Sequence, residues 1–411
     1  MLFLSYILPF SQLYRILHNY DILFKEVEAK TEIRLQEAQD YFKAIDPQVS
    51  MTLYKDRLSK GNIQFAFGVV SVKRKPKEFQ ASHKNPAYLI HTLALVDKVM
   101  KESTYFENSV PFVCNVDLNP QEHSDAVGLY TYLPYTERYG NNSLNAPSLT
   151  FPDSQVQFKT WKDHKSKYNK ETVDYSFCLM TAALLKPKYV ILLEDDTVPH
   201  SDFPVILEHL IESRLKYHSK YAYLKLYFPP KWQGFALELS TVIDLVLWGF
   251  ITTSTVYLCL VTICKCRPPF SYEIFVINFS NHCLSLPCKI NIPLSGKAFI
   301  FFYIICIFTI WLIGRQNIEA LRRHWRYFYR LERAEGCCTQ AQMYPSEIVD
   351  ALSRYLLSVV GSTHTDLAIS DFAAEEGLPT WQVEPNLFFH HGLHTTLNAK
   401  QKHPEEFLFN L

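Results

Sequence analysis

Three consecutive carboxylates, Glu194, Asp195 and Asp196, close the apolar run Tyr189-Val190-Ile191-Leu192-Leu193. Side chains alternate along an extended chain, so Glu194 and Asp196 point to one side and Asp195 to the other, where it can bind a ribose or brace the turn. Two carboxylates on one side suit a hard divalent cation that also takes phosphate oxygens, Mg²⁺ or Mn²⁺. An acidic triplet alone is an ordinary strand end, so its meaning depends on its partners. The candidates lie far along the chain: Asp366 and Glu384 as general bases, and His390 or His391 to complete the ligand set of a cation. Their bland alternatives are a first-turn helix acid, a loop acid and two surface histidines.

The elements that must position these groups follow from periodicity. The run 189–193 has the length and composition of a strand covered on both faces, and parallel sheets bind ligands beyond the carboxyl ends of such strands. A second strand is predicted over 65–72 (Phe-Ala-Phe-Gly-Val-Val-Ser-Val), ending in Lys73-Arg74-Lys75, which is either a nucleotide-side loop or a solvated basic turn. Leu89, Leu93, Val96 and Met100 share one face of a helix over 86–100, and a strand follows at 111–116. A polar excursion, 119–174, carries the sequon Asn141-Asn142-Ser143, and a helix over 175–185 leads through Pro187 into the acidic strand. Strand and helix in alternation predict an α/β fold with a Rossmann-like, mostly parallel sheet. Downstream, a helix after Ser201, a strand over 221–228, a helix over 346–357, a helix capped by Thr365 and ending near Gly377, and a strand over 381–383 complete the pattern.

Two apolar stretches interrupt it. Residues 242–264, with Asp244 as the only charge, and 298–314, with none, are transmembrane candidates. Two crossings return the chain to the side it left, so both flanks can share one site. Basic residues stand at both outer ends and in the loop, so the positive-inside rule gives no orientation. The organisation read from the chain is a truncated N-terminal membrane anchor over 1–20, a helical stalk over 21–60 with a solvated stretch from Lys25 to Ile45, and the first part of the α/β domain over 61–236. A transmembrane hairpin over 237–314 with loop 265–297 follows, then the second part of the domain over 315–411. Arginine, tryptophan and tyrosine crowd 315–333, as in an interfacial helix. Lys plus Arg and Asp plus Glu both total 41, so nothing argues for nucleic acid as a partner. Of ten cysteines, four lie outside the apolar insertion, Cys114, Cys178, Cys337 and Cys338, and their pairing in an oxidising lumen stays open.

Several segments together resemble a known family: Tyr189 to Asp196, Phe203 to Leu210, Tyr223-Leu224-Lys225-Leu226-Tyr227, Cys337-Cys338-Thr339, and Val383-Glu384-Pro385-Asn386-Leu387 followed by His390. They look like the Golgi GPI-glycan N-acetylgalactosamine transferases, and the resemblance runs from about His18 to the C-terminus. It implies a GT-A-like domain interrupted by a transmembrane hairpin, multi-pass in the Golgi membrane with its catalytic part luminal. The implied reaction is transfer of N-acetylgalactosamine from UDP-GalNAc to the first mannose of the GPI anchor on GPI-anchored proteins, with inversion, using Mn²⁺ or else Mg²⁺. Carried over by position, Glu194, Asp195 and Asp196 match the family's acidic motif, and Val70, Ser71, Val72 and Lys73 match the end of its nucleotide-side strand. Lys73 stands where the family more usually has an acid. By analogy with other GT-A enzymes, Asp366 corresponds to the base and His390 to the C-terminal metal ligand. The shortened first anchor and additional residues around Asn281 to Ser295, which resemble a misjoined exon, depart from the family. Another metal-dependent UDP-sugar transferase, a hydrolase, or a non-enzymatic polytopic scaffold indifferent to changes in the triplet are the competing readings.

Overall fold

The computed structural model describes residues 20–74, 86–139, 166–218, 220–229, 239–266, 296–334 and 336–393. The expected anchor up to residue 19, the sequon Asn141-Asn142-Ser143 and most of the loop 265–297 lie outside them. The chain divides into two compact units, one of Asn19–Trp232 with Glu319–Leu411 and one containing Gln233–Ile318.

The first part of the larger unit runs α1 (Tyr20–Ala44), α2 (Pro47–Lys60), β1 (Phe65–Ser71), α3 (Tyr88–Glu102), β2 (Ser109–Asn115), α4 (Ser124–Leu129) and β3 (Tyr135–Glu137). It continues through α5 (Lys167–Leu184), β4 (Tyr189–Glu194), β5 (Thr197–Pro199), α6 (Phe203–Ser213) and β6 (Tyr223–Lys225). The smaller unit contributes α7 (Leu239–Cys266) and α8 (Gly296–Ile313). Then come α9 (Arg315–Arg322), β7 (Arg330–Arg333), β8 (Ala341–Pro345), α10 (Ser346–Ser358), α11 (Thr365–Glu375), β9 (Thr380–Glu384) and β10 (Phe388–His390).

An eight-stranded sheet has the order β3-β2-β1-β4-β8-β6-β9-β7, and β10 pairs with β5 in a separate two-stranded ladder. The first four strands are mutually parallel, as the alternation of strand and helix predicts, in the 3-2-1-4 order of a doubly wound sheet. The mostly parallel α/β expectation therefore holds. Strand β8, not foreseen, runs antiparallel between β4 and β6. Residues 190–193 of β4 are fully buried, as a strand covered on both faces must be. Gly68 is needed where β1 lies between its neighbours: a Cβ there would come within 2.6 Å of Phe112 and 2.7 Å of Leu192.

Helix α1 combines a solvated outer face with an inner one. Ala38 and Phe42 enter the core, and Tyr41 donates to Asp97 at 2.8 Å. Asp97, fully buried on α3, also accepts from Tyr54 of α2 and from Lys101 at 2.7 Å, which pins three helices at one carboxylate. Of the four cysteines whose pairing was open, Cys114 of β2 is bonded to Cys178 of α5, whereas Cys337 and Cys338 keep their thiols.

Helices α7 and α8 pack antiparallel: Tyr257 meets Phe299 with ring centroids 5.5 Å apart, the Tyr303 hydroxyl donates to the Val246 carbonyl at 3.2 Å, and Asp244 pairs with Arg315 at 3.6 Å. Thr241–Leu260 and Gly296–Ile313 are long and apolar enough to cross a membrane. Many of their large side chains, Leu247, Phe250, Leu258, Phe301 and Phe308 among them, face outward.

Three local expectations shift. The strand expected over 221–228 is regular only at Tyr223–Lys225. The expected interfacial helix stops at Arg322 and gives way to a turn, Arg326–Phe328, and to β7. His364, not Thr365, stands at the N-cap of α11; the Thr365 hydroxyl bonds that of Thr172 at 2.9 Å instead.

Candidate metal centre

Strand β4 ends at Glu194, and Asp195 and Asp196 form the turn into β5. The ladder between β5 and β10 sets Thr197 opposite His390. That register carries the His390 imidazole to the acidic turn, where its Nε2 lies 3.3 Å from Asp196 Oδ2. The His391 amide donates to the Asp196 carbonyl at 2.9 Å. Close approach continues at Gly392, where a built Cβ would overlap the Asp196 carboxylate. Glu194, Asp196 and His390 each offer a ligand atom, and these atoms all lie within 4.8 Å of one another. Two carboxylate oxygens and one imidazole nitrogen form a donor set that fits Mn²⁺ and accommodates Mg²⁺ less well. Asp196 and His390 are buried and Glu194 half-buried; the Thr339 hydroxyl orients Glu194 by donating to Oε1 at 2.8 Å.

Asp195 lies in the turn beyond the end of β4, outside the group of Glu194, Asp196 and His390, and ties strand ends together. Its carboxylate accepts from Ser71 Oγ at 2.9 Å and from Arg74, and its carbonyl accepts from the Thr92 hydroxyl at 2.8 Å. Burial pushes its carboxyl above the usual range, against the pull of Arg74. Ser71 Oγ also lies 2.8 Å from His123 Nε2, and burial holds that imidazole below its ordinary value. Arg74 bridges Asp195 and Asp196, the latter at 3.1 Å, while its guanidinium lies 4.7 Å from the centre of the Tyr88 ring. Burial opposes its charge, but the two carboxylates outweigh that and strengthen its hold on the proton.

The remaining sequence candidates separate. Val70 pairs in register with Glu194, which sets the end of β1 (Val70, Ser71 and then Val72) beside the acidic turn. Lys73 turns to other acids: its amide donates to Asp117 at 3.0 Å and its ammonium lies 3.6 Å from Glu122. Asp366, in the first turn of α11, accepts from the Cys338 amide at 3.0 Å and keeps partial exposure. Glu384 is buried at the end of β9, where Arg330 binds it at 3.0 Å and Gln382 donates to it at 3.1 Å. It does not join the metal-ligand group. Of the two histidines, His390 does, while His391 stacks on His91 with centroids 5.3 Å apart, and burial depresses its imidazole well below the ordinary value.

Sequence reading gave no role to Arg74, Thr339 or Glu171. Arg74 lay within a basic cluster and Thr339 within Cys337-Cys338-Thr339, but neither position pointed to a partner. Glu171 lies inside the stretch read as a surface excursion. In α5 it is half-buried, and burial first, then Glu194, Asp366 and Asp174, push its carboxyl up to about 8.

Fold and site together define an α/β protein with a carboxylate and histidine group that could hold a metal ion at the end of β4, the edge where such sheets take ligands. The sequence model of the family described as GPI-N-acetylgalactosamine transferase PGAP4 matches residues 65–389. The chain belongs to that family, and so to the glycosyltransferases. The match takes in Glu194, Asp195, Asp196, Asp366 and Glu384 and ends one residue before His390.

Proposed function

We propose that the protein transfers N-acetylgalactosamine from UDP-GalNAc to the first mannose of GPI anchors on GPI-anchored proteins. The observation that carries this reading is the convergence of Glu194, Asp196 and His390 in a chain whose family bears that transferase's name. The parallel order β3-β2-β1-β4, with the acidic turn beyond β4, supports a GT-A-like site for the sugar nucleotide.

Glu194, Asp196 and His390 would hold Mn²⁺ or Mg²⁺, which supplies positive charge against a leaving diphosphate. Thr339 fixes the Glu194 carboxylate, and the His391 amide fixes the backbone of Asp196. Ser71 and Arg74 bind Asp195, and Arg74 also reaches Asp196, so that the nucleotide-side strand end is joined to the acidic turn. Asp366 is the general base. Its carboxylate is anchored by the Cys338 amide yet partly exposed, whereas Glu384 is committed to Arg330. The acceptor hydroxyl oxygen attacks the anomeric carbon, its proton passes to Asp366, and the bond from that carbon to the UDP oxygen breaks from the opposite face. The anomeric centre inverts.

The two apolar helices form a transmembrane hairpin, and the Cys114–Cys178 disulfide suits a catalytic part in an oxidising lumen, that of the Golgi. The test is glycan analysis of GPI anchors from cells lacking the protein. The expected result is loss of the N-acetylgalactosamine branch, its return with the wild-type chain, and no return with Asp196→Ala expressed at equal level. A branch that persists in the deficient cells would overturn the assignment. Restoration by Asp196→Ala would overturn the metal site alone. Hydrolysis of the donor without acceptor would instead favour a hydrolase.

A further inference from the structure

Immediately after the second apolar helix, the larger unit carries an exposed aromatic surface. Leu321 is 50 % exposed, Trp325 62 %, Tyr327 63 % and Phe328 50 %. These residues are interleaved with His324 and Arg326, both exposed. The turn is built, not frayed. Trp325 and Phe328 meet edge to face with centroids 5.1 Å apart, His209 of α6 packs on Tyr327 at the same separation, and Arg214 donates to the Tyr327 carbonyl at 3.4 Å. Arg326 lies over the Tyr327 ring, 5.1 Å from its centre. Holding several large apolar side chains in water is unfavourable in proportion to the apolar surface left uncovered. Such a patch calls for an occupant.

We propose that the turn Trp325–Phe328, with Leu321, is a seat by which the larger unit rests on the headgroup layer of a lipid bilayer. Aromatic rings mixed with arginine are the composition of the bilayer interface, where rings sit at headgroup depth and cations meet lipid phosphates. The covalent chain argues for the same occupant. Ile313 ends a helix apolar enough to span a membrane, and at most about 3.6 Å per residue separates it from Trp325. The eight-residue helix α9 shortens that tether further, since a helix rises only about 1.5 Å per residue. A second copy of the chain fits less well, because a two-fold interface would bring the exposed Arg326 of both copies onto one small patch with no acid of the patch to offset them.

The seat also connects inward. Arg323, on the same segment, lies over the Phe389 ring 4.9 Å from its centre, and Phe389 precedes the metal-site residue His390. Docking this turn on a bilayer would therefore fix the height of the site above the membrane, where a lipid-anchored sugar acceptor stands. This deepens the proposed function and rests on its acceptor being membrane-anchored.

The test uses the full chain in phosphatidylcholine nanodiscs, wild type against the combined variant Trp325→Ser, Tyr327→Ser and Phe328→Ser. Two acceptors are compared: a GPI-anchored substrate in the same bilayer and its delipidated, water-soluble glycan. The variant stays in the bilayer through its two apolar helices. It is expected to lose roughly tenfold or more in kcat/KM on the bilayer acceptor, as the site loses its fixed height over the membrane, and to match wild type on the soluble glycan. Equal losses on both acceptors, or none on either, would overturn the seat. No turnover by wild type on either acceptor would count against the proposed function itself. The seat is then read without activity, from tryptophan quenching by headgroup-proximal doxyl lipids, which must fall in Trp325→Phe. Unchanged quenching, or an oligomer that dissociates in the triple variant, overturns it.

Discussion

His390 Nε2 stands 3.3 Å from Asp196 Oδ2, two residues from opposite halves of the chain. The contact depends on the ladder that sets His390 opposite Thr197 and on the amide bond from His391 to the Asp196 carbonyl. His390→Gln keeps a similar volume and removes the imidazole. Its Mn²⁺ affinity should fall by at least the roughly 10- to 100-fold that losing even a supporting residue costs a metal site. Mn²⁺ titration followed by electron paramagnetic resonance reads this directly; an unchanged dissociation constant would remove His390 from the ligand set.

Gly392 reaches the same carboxylate through its missing side chain. A methyl group there would occupy the space of the Asp196 oxygens, so Gly392→Ala must displace either the carboxylate or the segment 390–393. We expect a loss of about 1–3 kcal/mol, typical of overpacking, together with weaker Mn²⁺ binding. The control is Gly128→Ala in α4, where an added Cβ meets nothing within 4 Å. Denaturant midpoints of the two variants, with and without Mn²⁺, separate steric damage at the site from a general effect of adding a methyl group. Equal midpoints for both would refute the close approach.

Glu171 predicts a pH dependence. Burial, helped by Glu194, Asp366 and Asp174, raises its carboxyl from 4.5 to about 8. Between those values the folded chain keeps a proton that the unfolded chain has released, so its contribution to stability is lost as pH rises through that window. Glu171→Gln is neutral at every pH and lacks this loss. It should therefore match wild type near the acid end and exceed it in urea midpoint above about pH 8. Asp174 and Asp195 are raised too and leave a slope of the same sign in both proteins, so the quantity to measure is the difference. A constant difference across the window would show that Glu171 ionises normally.

Local sequence determined a good deal of this protein. Period-two and apolar runs located β1, β2, β4 and β9, helical spacing located α3 and α6, and length with apolarity picked out α7 and α8. Alternation predicted Asp195 apart from Glu194 and Asp196, but β4 stops at Glu194, and it is the turn that sets Asp195 on Ser71 and Arg74. Strand β8 escaped because Ala341-Gln342-Met343-Tyr344-Pro345 is only five residues long and ends in a proline, and its pairing comes from β4 and β6 on either side. Tertiary structure brought His390 and not His391 to Glu194 and Asp196, committed Glu384 to Arg330, set Arg74 across Asp195 and Asp196, and joined Cys114 to Cys178. The physical reason is range. Periodicity reports which way a side chain faces within its own element, whereas a metal site, an ion pair or a disulfide depends on the register between elements that the sequence keeps far apart.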